Sequence, residues 1–96
     1  MSYLKHFESH DILISATRYY IGRRTIQAAY HARCLARAWH DLPRGTQSVI
    51  RTDIEEALAQ DDEARAEGRE FYPLGEDFDR REWELVRKQW VAGEGN

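Results

Sequence analysis

Apolar positions along the chain recur at spacings of three and four and nowhere alternate over a useful length, which predicts helices and no strands. The first run, Ile12, Leu13, Ala16, Tyr19 and Tyr20, gives one stripe of a helix opening near Ser9 or Asp11. Asp11 there meets the positive end of the helix dipole. Gly22 interrupts the run, as a left-handed cap that leaves Thr25 to start a second helix. A single kinked helix is the competing reading, since one interior glycine costs about 1 kcal/mol. The second helix, about Thr25 to His40, carries Ala28, Ala29, Ala32, Ala36 and Ala38, with bulk from Ile26, Tyr30, Leu35 and Trp39. Its small residues let another backbone approach closely.

LPRG at 42–45 has turn composition. A third helix is expected from Thr46 as N-cap to about Ala66, stopped by Gly68. Val49, Ile50, Ile54, Ala57 and Leu58 form its narrow stripe, and Asp53, Glu55, Glu56, Asp61, Asp62 and Glu63 occupy the rest. REFYPLGEDFD at 69–79 reads as a loop with enough apolar surface to pack on the body. Asp79 followed by Glu82 fits a capping box for a last, shorter helix bearing Trp83, Val86 and Trp90. Residues 1–8 are expected to be irregular and 92–96 to fray. The pattern as a whole predicts an all-α fold, one domain over residues 1–96, with three main helices and a short C-terminal one. Its core is expected from Ile12, Ala16, Tyr20, Ile26, Tyr30, Leu35, Trp39, Ile54, Leu58, Leu74 and Trp83.

Composition changes this picture little. Ninety-six residues leave no room for a second core, and three Trp, five Tyr and three Phe supply bulk despite an apolar fraction of 42%. The one cysteine, Cys34, excludes an internal disulfide and fits a reducing compartment. No run approaches membrane-spanning length and MSYLKHFESHD lacks a signal-peptide pattern, so a soluble, cytoplasmic protein is expected.

Charge changes it more. The net charge of −3 conceals a split: residues 1–45 hold seven basic and three acidic side chains, residues 46–96 seven basic and fourteen acidic. Either the halves pair internally or the protein shows faces of opposite sign to partners.

Candidate chemistry is sparse. His6 with His10, and His31 with Cys34, have helical spacing but lack the further ligands of a closed zinc site, so no metal and no cofactor is expected. His40 and Asp41 are adjacent and do not face each other on a helix. Thr46, Ser48 and Thr52 have no evident base. Cys34 with His31 stands one turn apart as a nucleophile and base, in a helix better suited to packing. The expectation is a protein without enzymatic activity. Arg18, Arg23, Arg24, Arg33, Arg37 and Arg44, with Tyr19 or Tyr20 as stacking platform, are the nucleic-acid alternative. The acidic balance of the chain and the place of both tyrosines in the apolar stripe weigh against it. The six carboxylates of the third helix can instead imitate a phosphate backbone and occupy a basic channel on a partner.

RYYIGRRT at 18–25, LP at 42–43, DIEEAL at 53–58, DD at 61–62 and PLGEDFDRREWELVR at 73–87 resemble a family of small phage, prophage and mobile-element proteins. The family hallmark is an RYYIGR-type segment early and a PLGxDxDRxxW segment late. The chain departs from it at Phe78, where relatives often carry Cys, so the resemblance implies no thiol or metal role for the loop. It implies a habitat and no catalytic residues. Short helical phage products are often accessory factors that bind a host protein or protein–RNA complex, and anti-CRISPR inhibitors of CRISPR effectors are the best-known class of that shape.

Within this frame RYYIGRRT is expected to be a helix end and corner. Tyr19 and Ile21 turn inward, Gly22 bends, and Arg18, Arg23 or Arg24 pair with carboxylates of the acidic half. Asp77, Asp79 and Arg80 are expected to lock the late loop by the same kind of pairing. Arg23→Ala is therefore expected to destabilise the fold. Homodimerisation through the alanine-rich helix is a further expectation.

Overall fold

The structure is a computed structural model that describes residues 10–69, 73–75 and 77–94. Four helices account for nearly all of these: α1 (His10–Tyr20), α2 (Ile26–Ala38), α3 (Arg44–Ala66) and α4 (Asp77–Glu94), with a 3₁₀ turn at Trp39–Asp41. The fold is all-α. α2 and α4 make the most extensive pairing, and α1 lies against α2 and α3.

The ends of the helices follow from local chemistry. After α1, Gly22 takes φ 87°, and Thr25 caps α2 by accepting from the Ala28 N–H at 3.1 Å. α3 closes in a Schellman motif: Gly68 at φ 68° donates its N–H to Arg65 O (3.2 Å), and Arg69 donates to Ala64 O (3.0 Å). α3 opens earlier than expected. Pro43, with φ −58°, precedes the first turn and its carbonyl accepts from the Gln47 N–H at 2.9 Å, so Thr46 is buried inside the helix and caps nothing. Asp79 likewise lies in the first turn of α4, two residues inside its start at Asp77.

Leu13, Ala32, Leu35, Trp39, Ile50, Ile54, Leu58, Leu74, Trp83, Val86 and Trp90 form the core. Five expected members are not in it, of which Ile12, Ile26 and Tyr30 are 46%, 86% and 51% exposed. Ala16 and Tyr20 are half-buried. The inner faces of α1 and α2 carry other residues, including a buried polar pair. α1 turns Leu13, Thr17 and Tyr20 inward, and α2 turns Ala28, His31, Ala32 and Leu35 inward. The Thr17 hydroxyl donates to Leu13 O at 2.9 Å and lies 2.8 Å from His31 Nε2. With both groups satisfied, burying them among apolar neighbours is tolerable. Ala28 and Ala32, expected to serve a dimer, are buried within the chain.

Candidate functional site

The buried centre of the acidic half is Asp61. Ile50, Ile54 and Leu58 line the inner face of α3, and Asp61, three residues beyond Leu58, continues that face, where its side chain is 0% exposed. Oδ2 accepts from Arg65 Nε at 2.6 Å and from Arg80 Nη1 at 2.7 Å, and Oδ1 accepts from the Leu74 N–H at 3.0 Å. Burial alone would raise its pKa. The bonds from Arg65, Leu74 and Arg80 outweigh that and hold the carboxyl below its ordinary value. Arg65 Nη2 also donates to Gly75 O at 3.0 Å. Arg80 reaches Asp62 (2.6 Å) and Glu84 (2.7 Å) as well, so that despite partial burial, which opposes it, its guanidinium is held above the ordinary value by Glu84, Asp62 and Asp61.

The early corner closes on the same place. A Cβ on Gly22 would stand 3.2 Å from Pro73 O. One on Gly75, where φ is 81°, would stand 2.7 Å from Asp79 Oδ2 and 3.2 Å from Arg24 Cγ. The segments RYYIGRR and PLG, some fifty residues apart in sequence, are thus neighbours in space because glycine is present on both sides.

Of the arginines expected to pair across the halves, Arg18 does so, from α1 to Asp53 on α3 at 2.7 Å. Arg80, expected to lock the late loop, pairs within the acidic half with Asp61, whose other oxygen holds the Leu74 N–H. Arg23 does not: it stacks over the Tyr19 ring at 4.4 Å and donates weakly to Tyr19 O at 3.4 Å, with no ion pair among the described residues. Tyr19, expected inside, is 59% exposed. Both corrections have one cause, since turning Thr17 and Tyr20 inward puts position 19 on the outer side of α1. Arg24 lies with its stem beside Gly75. The Asp77 side chain lies outside the described residues. A pairing that sequence reasoning missed joins Arg33 to Glu82 by a two-pronged fork, 3.0 and 2.7 Å, and those bonds and the carboxylate's charge raise the Arg33 pKa.

The carboxylates expected to meet a partner are therefore divided. Asp61 is a structural group and is withdrawn from that set, its position on the apolar period being the signal that identifies it. Asp53 is engaged by Arg18, and Glu55 accepts from Trp90 Nε1 at 2.9 Å. Glu56, Asp62 and Glu63 remain exposed, with Asp62 held by Arg80 and Glu63 3.8 Å from Arg69. The arginines proposed for nucleic acid are dispersed likewise, with Arg18 and Arg33 neutralised on different helices and Tyr20 half-buried against His31, ring centroids 5.0 Å apart.

His31 does not serve Cys34 as a base through Nε2, which is committed to Thr17. Burial depresses its pKa from 6.5 to about 4, so the imidazole is neutral near pH 7. Among the described residues no three His, Cys, Asp or Glu side chains converge as for a metal ion, and no helix is long and apolar enough to cross a membrane.

A different surface stands out on α2. Ile26, Tyr30, Arg33 and Arg37 recur at helical spacing on its outer side, all exposed, and no acidic residue occurs anywhere in α2. Leu85 of α4, also exposed, flanks Arg33 and Arg37 across a shallow cleft. Comparison of the chain with protein-family models, with curated proteins and with solved structures returns no match.

Proposed function

We propose that this chain is a phage- or mobile-element-encoded accessory protein that acts in the host bacterial cytoplasm by binding a host protein, without turnover. The observation that carries the reading is Ile26, an aliphatic side chain 86% exposed at the head of a stripe with Tyr30 and Arg37. Scattered apolar residues on a surface need no explanation, but an Ile–Tyr–Arg stripe has the composition of the anchors that dominate protein interfaces. Glu56, Asp62 and Glu63 on α3 are the carboxylates left to contribute electrostatic complementarity. The motif resemblance supplies the habitat, and a CRISPR effector complex is the first target to test, with inhibition by steric and electrostatic occlusion.

The test has two parts. Phage challenge of cells with active CRISPR immunity, with and without expression of the protein, should show immunity lost on expression. Full immunity despite expression removes that target. Affinity capture from host lysate should give one specific protein that is lost with Ile26→Asp, a variant that leaves the core untouched. Capture unaffected by Ile26→Asp and by a Glu56, Asp62, Glu63 triple reversal would remove the protein-binding reading. The alternative, a nucleic-acid-binding accessory protein of phage replication or regulation, predicts affinity for DNA or RNA that falls steeply with salt.

A further inference from the structure

The outer stripe of α2 borders a cleft of about 580 Å³ between α2 and α4. Arg33, Ala36 and Arg37 line it from α2, and Glu82, Leu85 and Gln89 from α4. Ile26, Tyr30, Arg33 and Arg37 follow one another at spacings of four, three and four, all exposed. They make a straight ridge about 16 Å long, at 1.5 Å of rise per residue. Across from it Leu85 is 38% exposed, so the cleft is aliphatic at Ala36 and Leu85 and polar around them. No aromatic ring lines it among the described residues.

The charges around the cleft do not cancel. Glu82 is its one carboxylate among the described residues, and it is already used: its side chain is 8% exposed and both oxygens accept from Arg33, at 3.0 and 2.7 Å. Arg37 has no ion pair among the described residues. Neither have Arg81 and Lys88, exposed on the outer row of α4 four residues before and three residues after Leu85. Asp62 and Glu84 lie near Arg81, but both are held by Arg80. A chain of net charge −3 thus gathers unmatched cations round an aliphatic cleft, next to an exposed Ile26.

Resting on the protein-binding reading above, we propose that this cleft takes an acidic amphipathic helix of the partner, about three turns long. A groove between two packed helices is the shape that helix-in-groove recognition uses, with apolar anchors at spacings of three and four. Those anchors cover Leu85, Ala36 and Ile26, while carboxylates on the same helix meet Arg37 and Lys88. Charge complementarity selects the acidic partner and speeds its encounter. A nucleic-acid strand suits the cleft less, because strand binders stack bases on aromatic side chains and the buried Glu82 repels phosphate.

The experiment selects peptides on the purified full chain from a displayed library of random fourteen-residue sequences, and measures the enriched ones by fluorescence anisotropy. Enriched sequences should be acidic, with aliphatic residues at spacings of three and four, and should gain helicity on binding. Leu85→Asp should weaken them by about tenfold or more, and Arg37→Glu with Lys88→Glu by about the same factor. Replacing the acidic residues of an enriched peptide by lysine should restore its affinity for that double variant, an exchange that damage to the fold would not produce. No enrichment, enrichment of neutral or basic peptides, or binding unchanged in both variants overturns the proposal. So does a twelve-nucleotide single strand that binds more tightly than every enriched peptide and is lost in the double variant. In each of those cases, lysate capture that is still lost with Ile26→Asp leaves the protein-binding reading standing, and capture indifferent to it removes both.

Discussion

Asp61→Asn isolates the charge at the centre of the molecule. The amide keeps the size of the carboxylate, and its oxygen can still accept from the Leu74 N–H, now 3.0 Å away. On the other side it places N–H donors where Arg65 Nε and Arg80 Nη1 donate at 2.6 and 2.7 Å. Each charge-assisted bond lost is worth about 1.5–3 kcal/mol. Two features reduce the sum: Arg80 keeps Asp62 and Glu84, and Arg65 is partly open to water. We expect a net loss of about 2–4 kcal/mol, against a total of about 5–15 kcal/mol for a domain of ordinary stability. At about 4–8 °C per kcal/mol for a chain of this size, that lowers the melting temperature by roughly 8–32 °C. Urea unfolding followed by tryptophan fluorescence measures it, since Trp39, Trp83 and Trp90 are all buried. Asp53→Asn, which breaks the more exposed pair with Arg18, is the control and should cost less than about 1 kcal/mol. The folded-state pKa of Asp61 is depressed, so its contribution is present above the unfolded carboxyl value and lost as pH falls through the folded one. The gap between parent and variant should therefore close in strong acid. An Asp61→Asn variant no less stable than Asp53→Asn at neutral pH would refute the reasoning.

Three further outcomes follow from the geometry. Arg23→Ala should change stability by no more than about 0.5 kcal/mol, because the side chain stacks on an exposed Tyr19 and holds no carboxylate among the described residues; a thermal midpoint unchanged within error is the expected reading. His31 has a folded pKa of about 4 against 6.5, so the unfolded chain binds the extra proton between those values and stability rises with pH across that window. The gain is about 3 kcal/mol at most, and denaturant midpoints measured from pH 4 to 7 should show a slope that His31→Gln flattens. Gly75→Ala should cost about 1–2 kcal/mol for a left-handed residue, and more because its Cβ would stand 2.7 Å from Asp79 Oδ2, with chemical denaturation as the measure.

Much of the fold was legible from residue order. Helix positions follow from spacing, and the stops at Gly22 and Gly68 from the need for positive φ, observed at 87° and 68°. Leu35, Trp39, Ile54, Leu58 and Trp83 are interior as their periodicity implies, and Leu74 is interior within a segment read as a loop packed on the body. The start of α3 was misplaced because Pro43 presets the first turn without a capping side chain, so the threonine three residues on looked like the cap. Asp61 was misassigned for a related reason: its residue type says surface while its period says interior, and period was the better guide.

What the chain alone determined is which segments are helical and where glycine stops them, because turns and spacing act over a few residues. Which side of α1 and α2 faces inward was decided only in three dimensions. Thr17 and His31 lie fourteen residues apart and are tolerable inside only when each satisfies the other. The same holds for the ion pairs. Arg18 finds Asp53 across 35 residues and Arg33 finds Glu82 across 49, and no local preference encodes those choices. Ile26 and Tyr30 lie on the outer side of α2 because Ala28, His31, Ala32 and Leu35 occupy its inner side.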